Sequence, residues 1–391
     1  MHYDFDRVPS RKGTDSVKWD ALGDVFGDKE LLPLWVADMD FPAPPEITEN
    51  LIKRARHPLY GYTCKTSRYY DAVQSWFSRR FDWAVEKEDI LTTPGIVTAL
   101  ALAVEAYTSP GDEIIIQPPV YPPFFSIVKE AGRELLLNPL IFKDGTYGMD
   151  LEGLEKIISE KTKMLLFCSP HNPVGRVWSE AELSALGDFC GKHGIIIISD
   201  EIHCDIVFPE HSHLPLHRVS PAFSSFTVTC TAPSKTFNIP GLYSSNIIIT
   251  DQNLRNRFQK VQERFHISST NIFAAEGTIA AYNYGEPWLE ALLSYLQENL
   301  SLLKERISAM PGVTLAALPE GTYLAWIDFR PLIRRGNDCH RIVYQQAKLG
   351  LNDGAQFGRE GEGFMRLNFA CPKALLNRAL DQLEKALKET R

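Results

Sequence analysis

Five short, unbroken apolar runs constrain the fold of this chain more than any other feature. They span residues 113–116, 163–168, 194–199, 226–230 and 245–249. A continuous apolar run of this length, rich in β-branched residues, is the pattern of a strand buried on both faces. Amphipathic segments stand between several of them. Residues 179–193, for example, open with acidic residues and are followed by Gly194, a helix with its stop signal. Buried strands separated by helices imply an α/β fold, a mostly parallel sheet sandwiched by helices. Ligands in such sheets sit at the carboxyl ends of the strands.

The residues at those ends are polar and chemically capable. Ser169-Pro-His-Asn172-Pro173-Val-Gly175 follows one run, and Asp200-Glu-Ile-His203 follows the next. Thr231-Ala-Pro-Ser234-Lys235-Thr-Phe-Asn follows the fourth, with Pro240-Gly241 set to stop any helix there. Lys235 is thus expected on a turn past a buried strand. Partial desolvation at such a place lowers an amine's pKa and makes it usable in chemistry. Further upstream, Thr92-Thr-Pro-Gly95-Ile96-Val97 leads into a helical stretch, residues 98–107. Free amides at a helix start bind phosphate without side-chain charge, and glycine lets the backbone approach closely.

The pattern changes after residue 271. Helices are expected over 273–284 and 287–310, strands over 313–317 and 323–329, a helix over 339–348, a strand over 364–370 and a last helix over 373–388. This reads as a smaller α+β domain. The expected division is an N-terminal arm, 1–45, irregular and packed on the small domain; a large domain, 46–285; and a small domain, 286–391.

Composition bears on partners. A net charge of −8 disfavours phosphate backbones and anionic membranes, so neither nucleic acid nor a membrane is expected as a partner. The seven cysteines are scattered, with no CxxC pair, as in a reduced cytoplasmic protein without a zinc site or other metal.

The three strand-end motifs together resemble the fold type I pyridoxal-phosphate enzymes, the class I/II aminotransferase superfamily. Trp35-Val-Ala37-Asp-Met-Asp-Phe41, Tyr60-Gly-Tyr62 and Phe364-Met-Arg366-Leu-Asn-Phe-Ala-Cys-Pro372 resemble, within it, the branch of cystathionine β-lyases and carbon–sulfur lyases that includes the MalY/PatB proteins. The resemblance covers essentially the whole chain.

It implies pyridoxal 5'-phosphate as cofactor. Lys235 would bond the cofactor and later remove the substrate's α-proton. Asp200 would pair with the pyridine nitrogen and keep it protonated. Asn172 would donate to the ring's phenolic oxygen, and His203 stands where many relatives have a tyrosine for the same contact. Tyr121 would stack on the ring. Gly95, Ile96, Val97 and Ser234 would hold the phosphate. Many relatives also have an arginine eight residues after the lysine; here that residue is Tyr243, and Thr231 and Ser234, or a partner's tyrosine, are expected to compensate. The relatives are homodimers with shared sites, which makes Tyr62 the candidate from the partner subunit and Tyr60 the alternative. Arg366 would clamp the substrate carboxylate, aided by the backbone of Ala37. The implied reaction is α,β-elimination from L-cystathionine or another cysteine S-conjugate, giving pyruvate, ammonia and a thiol. An aminotransferase, or a regulatory protein with residual lyase activity, are the alternatives.

Overall fold

A computed structural model describes residues 3–334, 336 and 338–389. Its main sheet has seven strands, in the order Ile90–Thr93, Ser245–Ile248, Thr227–Thr231, Ile196–Asp200, Thr162–Cys168, Glu113–Ile116 and Glu134–Leu137. From Thr227–Thr231 onward all neighbours are parallel. Ser245–Ile248 alone runs antiparallel, to both of its neighbours. All five apolar runs are strands of this sheet, with ends displaced by one or two residues at most. The two edge strands were not anticipated. Ile90-Leu-Thr-Thr93 is half hydroxyl residues, and Glu134–Leu137 has no buried residue; both owe their shape to the strand alongside.

Alternation along each strand sends side chains to opposite faces. Leu165 and Phe167 join one apolar cluster, with Trp178 and Leu183. Met164, Leu166 and Cys168 join another, beneath the helices Ile96–Tyr107 and Gln252–Arg264. Burial on both faces is therefore what made the runs continuous. The helix Glu180–His193 covers the first face. Ser179 caps it by accepting from the Glu182 amide, the Glu182 side chain reaches back to the Ser179 amide, and Gly194 ends it at φ +65°.

The second sheet is antiparallel, in the order Thr314–Leu315, Leu324–Asp328, Phe364–Asn368, Asn352–Asp353. Helices Glu286–Ala309 and Lys373–Glu389 pack with it in one apolar cluster. Two expectations here need correction. The strand over 313–317 shrinks to Thr314–Leu315, because Ala316 and Ala317 turn into the cluster under the main sheet. The helix expected over 339–348 is present over residues 339–346, but Arg341–Gln346 is wound as a π-helix rather than an α-helix.

The N-terminal arm is more ordered than expected. It carries short helices Val17–Asp20 and Leu22–Phe26, and Leu32–Pro33 pairs parallel with Leu349–Gly350. The Asn368 amide then donates to Leu34 O, and the Asp40 amide to Ala370 O. One apolar cluster joins Leu34 and Phe41 of the arm, Trp76 of helix Ser67–Phe81, Phe237, Trp288 and Leu324. Truncating a buried phenylalanine such as Phe41 typically costs about 3–5 kcal/mol, so the arm is strongly held against this cluster. No helix among the described residues is long and apolar enough to cross a membrane.

Candidate active site

Register brings the strand-end clusters level. Cys168 stands opposite Asp200, Asp200 opposite Cys230, and Ser245 opposite Thr93. The loops after Thr93, Ile116, Cys168, Asp200 and Thr231 consequently open on one rim. They surround a cavity of about 1080 Å³, closed from the other side by the arm and by Arg366. Ala37, Gly95, Ile96, Val97, Tyr121, Asn172, Asp200, His203, Ser234, Lys235 and Arg366 all line it.

Lys235 lies in a single helical turn, Pro233–Thr236, rather than the open turn expected. Pro233 presets the first helical φ, and the Phe237 amide closes the turn on Pro233 O. The turn is pinned from below, where the Thr236 hydroxyl donates to buried Asp205 at 2.8 Å. Lys235 Nζ donates to Ala37 O at 2.5 Å. Its pKa is lowered to about 8, chiefly by burial and also by Arg366, against the pull of Asp38 and Asp200.

Asp200 is buried, and no cation lies within ion-pair distance of it among the described residues. Its Oδ1 accepts the Ile202 amide at 3.2 Å. Burial raises its pKa to about 7, against the pull of that hydrogen bond and of Lys235. A buried carboxylate without a cation is costly unless a protonated group faces it.

Arg366 completes the set. It is buried in strand Phe364–Asn368 and donates to Asn172 Oδ1 (3.0 Å), Trp35 O (2.8 Å) and Asn352 Oδ1 (2.7 Å). Its guanidinium lies 4.9 Å from the Phe357 ring centre, and Nε has no hydrogen-bond partner among the described residues. No carboxylate among the described residues lies within ion-pair distance of it, and burial depresses its pKa to about 10. Asn172 turns its oxygen to Arg366, which leaves its amide NH₂ as the donor toward the cavity. His203 is buried with Nδ1 unpartnered among the described residues, and burial holds its pKa far below the usual value, so the ring is neutral.

Gly95 precedes helix Ile96–Tyr107 at φ +97°, and a Cβ added there would meet open space but a strained backbone. The first residues of that helix and Ser234 line the same part of the chain's cavity, an arrangement suited to an anion. These residues fit pyridoxal phosphate: an amine, a buried acid for a pyridinium, a donor for the phenolic oxygen, an aromatic flank at Tyr121 and a helix N-terminus for the phosphate.

One expectation is not met, and the two tyrosines expected from a partner subunit lie outside the cavity of their own chain. Thr231 is buried in its strand and donates to Asn246 O, so its hydroxyl does not reach the cavity. Tyr60 donates to Ala55 O and packs near Arg54 and Phe273, outside the cavity. Tyr62 is fully exposed and does not line the cavity of its own chain. Ala37 presents its carbonyl to Lys235; only its amide could face a carboxylate. Tyr243 lines the cavity rim at φ +52°.

Sequence reading missed the residues that hold the arm over the site. Arg11 bonds Asp38 and Asp40, and fully buried Lys18 bonds Asp40 at 2.6 Å. Asn238 brackets Met39 and Phe41, Asn368 brackets Val36 and Asp38, and Tyr323 donates to Ala37 O. Asn238 was visible only as the polar residue three positions past the lysine.

The model of the aminotransferase class I and II family matches residues 29–383. The chain belongs to that family. Within the family it is 43% identical over 98% of its length, and 99% of the relative's, to cystathionine beta-lyase PatB of Bacillus subtilis. It is 33% identical to protein MalY of Escherichia coli over the full length of both. Cystalysin of Treponema denticola, whose crystal structure contains pyridoxal 5'-phosphate, superposes with a TM-score of 0.95 over all of both chains at 37% identity.

Proposed function

We propose that this chain is a pyridoxal-phosphate-dependent carbon–sulfur β-lyase. Its substrate would be L-cystathionine or a related cysteine S-conjugate, cleaved to pyruvate, ammonia and a thiol. One observation carries the reading: three ionisable side chains, half-buried Lys235 and buried Asp200 and Arg366, converge on one cavity, each without a counter-ion within ion-pair distance among the described residues. An amino-acid substrate and this cofactor supply what each one lacks. The choice of β-elimination is supported by the full-length likeness to a cystathionine β-lyase.

When bound, pyridoxal phosphate supplies an electron sink for the pair released at Cα. Arg366 binds the substrate carboxylate through its planar fork and fixes the face on which Cα–H lies. Lys235, in its neutral form, takes the α-proton, and its pKa near 8 suits that exchange near neutral pH. Asp200 holds a proton on the facing nitrogen. As the Cβ–S bond breaks, the electron pair leaves on sulfur, and the thiolate departs from the cavity. The arm excludes water from Cα.

The test combines a spectrum with two product assays. The purified protein should absorb near 420 nm (roughly, as a lysine-bound cofactor does) and should release pyruvate and thiol from L-cystathionine without added keto acid. Turnover only with a keto acid would make it an aminotransferase. Arg366→Lys keeps the charge but loses the fork, and should lower kcat/KM roughly 10–10²-fold, mostly through KM.

We further propose a homodimer in which Tyr62 of the partner subunit reaches this phosphate cradle; its complete exposure in the single chain supports this over Tyr60, which is tied to Ala55. Tyr62→Ala should weaken cofactor binding roughly tenfold or more. At limiting pyridoxal phosphate, mixed dimers of Tyr62→Ala and Lys235→Ala chains should turn over faster than either parent, because one site per dimer is then intact. Failure of mixing to restore turnover would remove Tyr62 from the site. The division into arm 1–45, large domain 46–285 and small domain 286–391 is supported by the two separate sheets. A cytoplasmic location is supported by seven free cysteines, six of them buried.

A further inference from the structure

The acceptor that Lys235 faces is a backbone carbonyl. Its Nζ donates to Ala37 O at 2.5 Å, and the Tyr323 hydroxyl donates to that same oxygen at 2.9 Å. Tyr323 is fully buried, immediately before strand Leu324–Asp328 of the second sheet, with its ring edge-on to His203 at 5.7 Å between centres. The carbonyl cannot drift. Asn368 Nδ2 donates to Val36 O and Asp38 O on either side of it, and Asn238 grips Met39 and Phe41 just beyond. Side chains from the lysine loop and from the second sheet thus converge on one peptide of the arm.

A neutral acceptor suits an amine that must gain and lose a proton. A carboxylate in this place would favour the ammonium form and raise the pKa. A carbonyl accepts an N–H from either form, so the nitrogen keeps its position in both. The oxygen has two lone pairs, and Lys235 and Tyr323 occupy both.

We propose that the Ala37 carbonyl is the docking point of the Lys235 amine whenever that amine is not bonded to carbon, and that Tyr323 is a positioning residue that sets the strength of this contact. The inference rests on Lys235 being the reactive amine of the proposed lyase. Removing the Tyr323 hydroxyl leaves the whole acceptor to Lys235, and a stronger hydrogen bond to the charged form favours that form. The ionisable groups facing the amine are Asp38 from the arm, Asp200 and His203 from the main sheet and its loop, and Arg366 from the second sheet. Tyr323→Phe alters none of them.

The experiment uses the full-length protein stripped of cofactor. Accessible amines are trace-labelled with acetic anhydride between about pH 6 and pH 10, and the peptide bearing Lys235 is followed by mass spectrometry. Tyr323→Phe should move the labelling midpoint of Lys235 upward by about half a unit, read as roughly threefold slower labelling at pH 7. An unmoved midpoint, or one that falls, overturns the proposal. If Tyr323→Phe does not fold, Asn368→Ala, which releases the carbonyls flanking Ala37, is measured instead; loss of the docked carbonyl should then shift the midpoint, and an unmoved midpoint again overturns it. Uptake of pyridoxal phosphate by the wild-type protein is scored separately. Its failure sinks the lyase reading and leaves the labelling result standing, whereas an unmoved midpoint sinks only the docking contact.

Discussion

Lys235→Ala is expected to cut turnover by roughly 10⁴-fold or more, because one side chain is both the group that bonds the cofactor and the base. The cavity should still take up pyridoxal phosphate, since the amides of Ile96 and Val97, Ser234, Tyr121 and Asp200 remain. The same substitution should stabilise the cofactor-free protein. The Lys235 pKa falls from 10.5 to about 8 because burial disfavours the ammonium. Below pH 8 the amine is charged in both folded and unfolded states, and the whole burial cost falls on the folded one. Between about 8 and 10.5 the unfolded state binds more protons, so wild-type stability rises with pH. Lys235→Ala should therefore gain on the order of 2 kcal/mol below pH 8, offset in part by the lost bond to Ala37 O, and nothing above about pH 10.5. Urea melts at several pH values check the stability claim. Added methylamine, small enough for the vacated space, should restore a measurable part of the turnover. More than about a hundredth of wild-type activity without it would contradict the assignment of Lys235.

Asp200→Asn carries the second large effect, again with opposite signs for activity and stability. Asparagine cannot hold a proton on the facing nitrogen, so turnover should fall roughly 10²–10³-fold, as when a preorganised charge is removed from a buried site. The Asp200 pKa is raised from 3.8 to about 7 by burial. Between those values the folded state binds the extra proton, so cofactor-free wild-type protein loses stability as pH climbs through this window. Above pH 7 the carboxylate is charged in both states and the loss is complete. Asp200→Asn should then melt higher than wild type by on the order of 2–4 °C for each kcal/mol recovered, with the gap closing toward pH 4. Pyridoxal phosphate should reverse the order, because only the carboxylate gains a partner. Near-normal turnover in Asp200→Asn would sink its role as the ring-nitrogen partner. A site that is less stable than its neutral variant until its ligand arrives is the expected signature of groups arranged for chemistry rather than for folding.

Much of this was legible in the residue order. The strands ending at Ile116, Cys168, Asp200 and Thr231 announce themselves because burial on both faces requires uninterrupted apolar residues. The polar groups just past three of those ends had no place in a core. The edge strands Ile90–Thr93 and Glu134–Leu137 did not, because pairing rather than composition makes them strands. The helical turn at Lys235 was hidden for a related reason: Pro240-Gly241 dominates the local pattern, while the anchor at Asp205 lies 31 residues away in sequence from Thr236.

By itself the sequence determined the layered sheet and the rim on which a ligand must sit, because local periodicity encodes burial, and the resemblance of its motifs pointed to the amine, acid and arginine that await it. Only the tertiary structure decided what each of them touches. Ala37 O meets Lys235 across 198 positions, and Arg366 meets Asn172 across 194. Thr231 turned inward, Tyr62 turned away, and Tyr323 entered the site unannounced. Such contacts depend on how the arm and the second sheet close over the first, which no local pattern specifies.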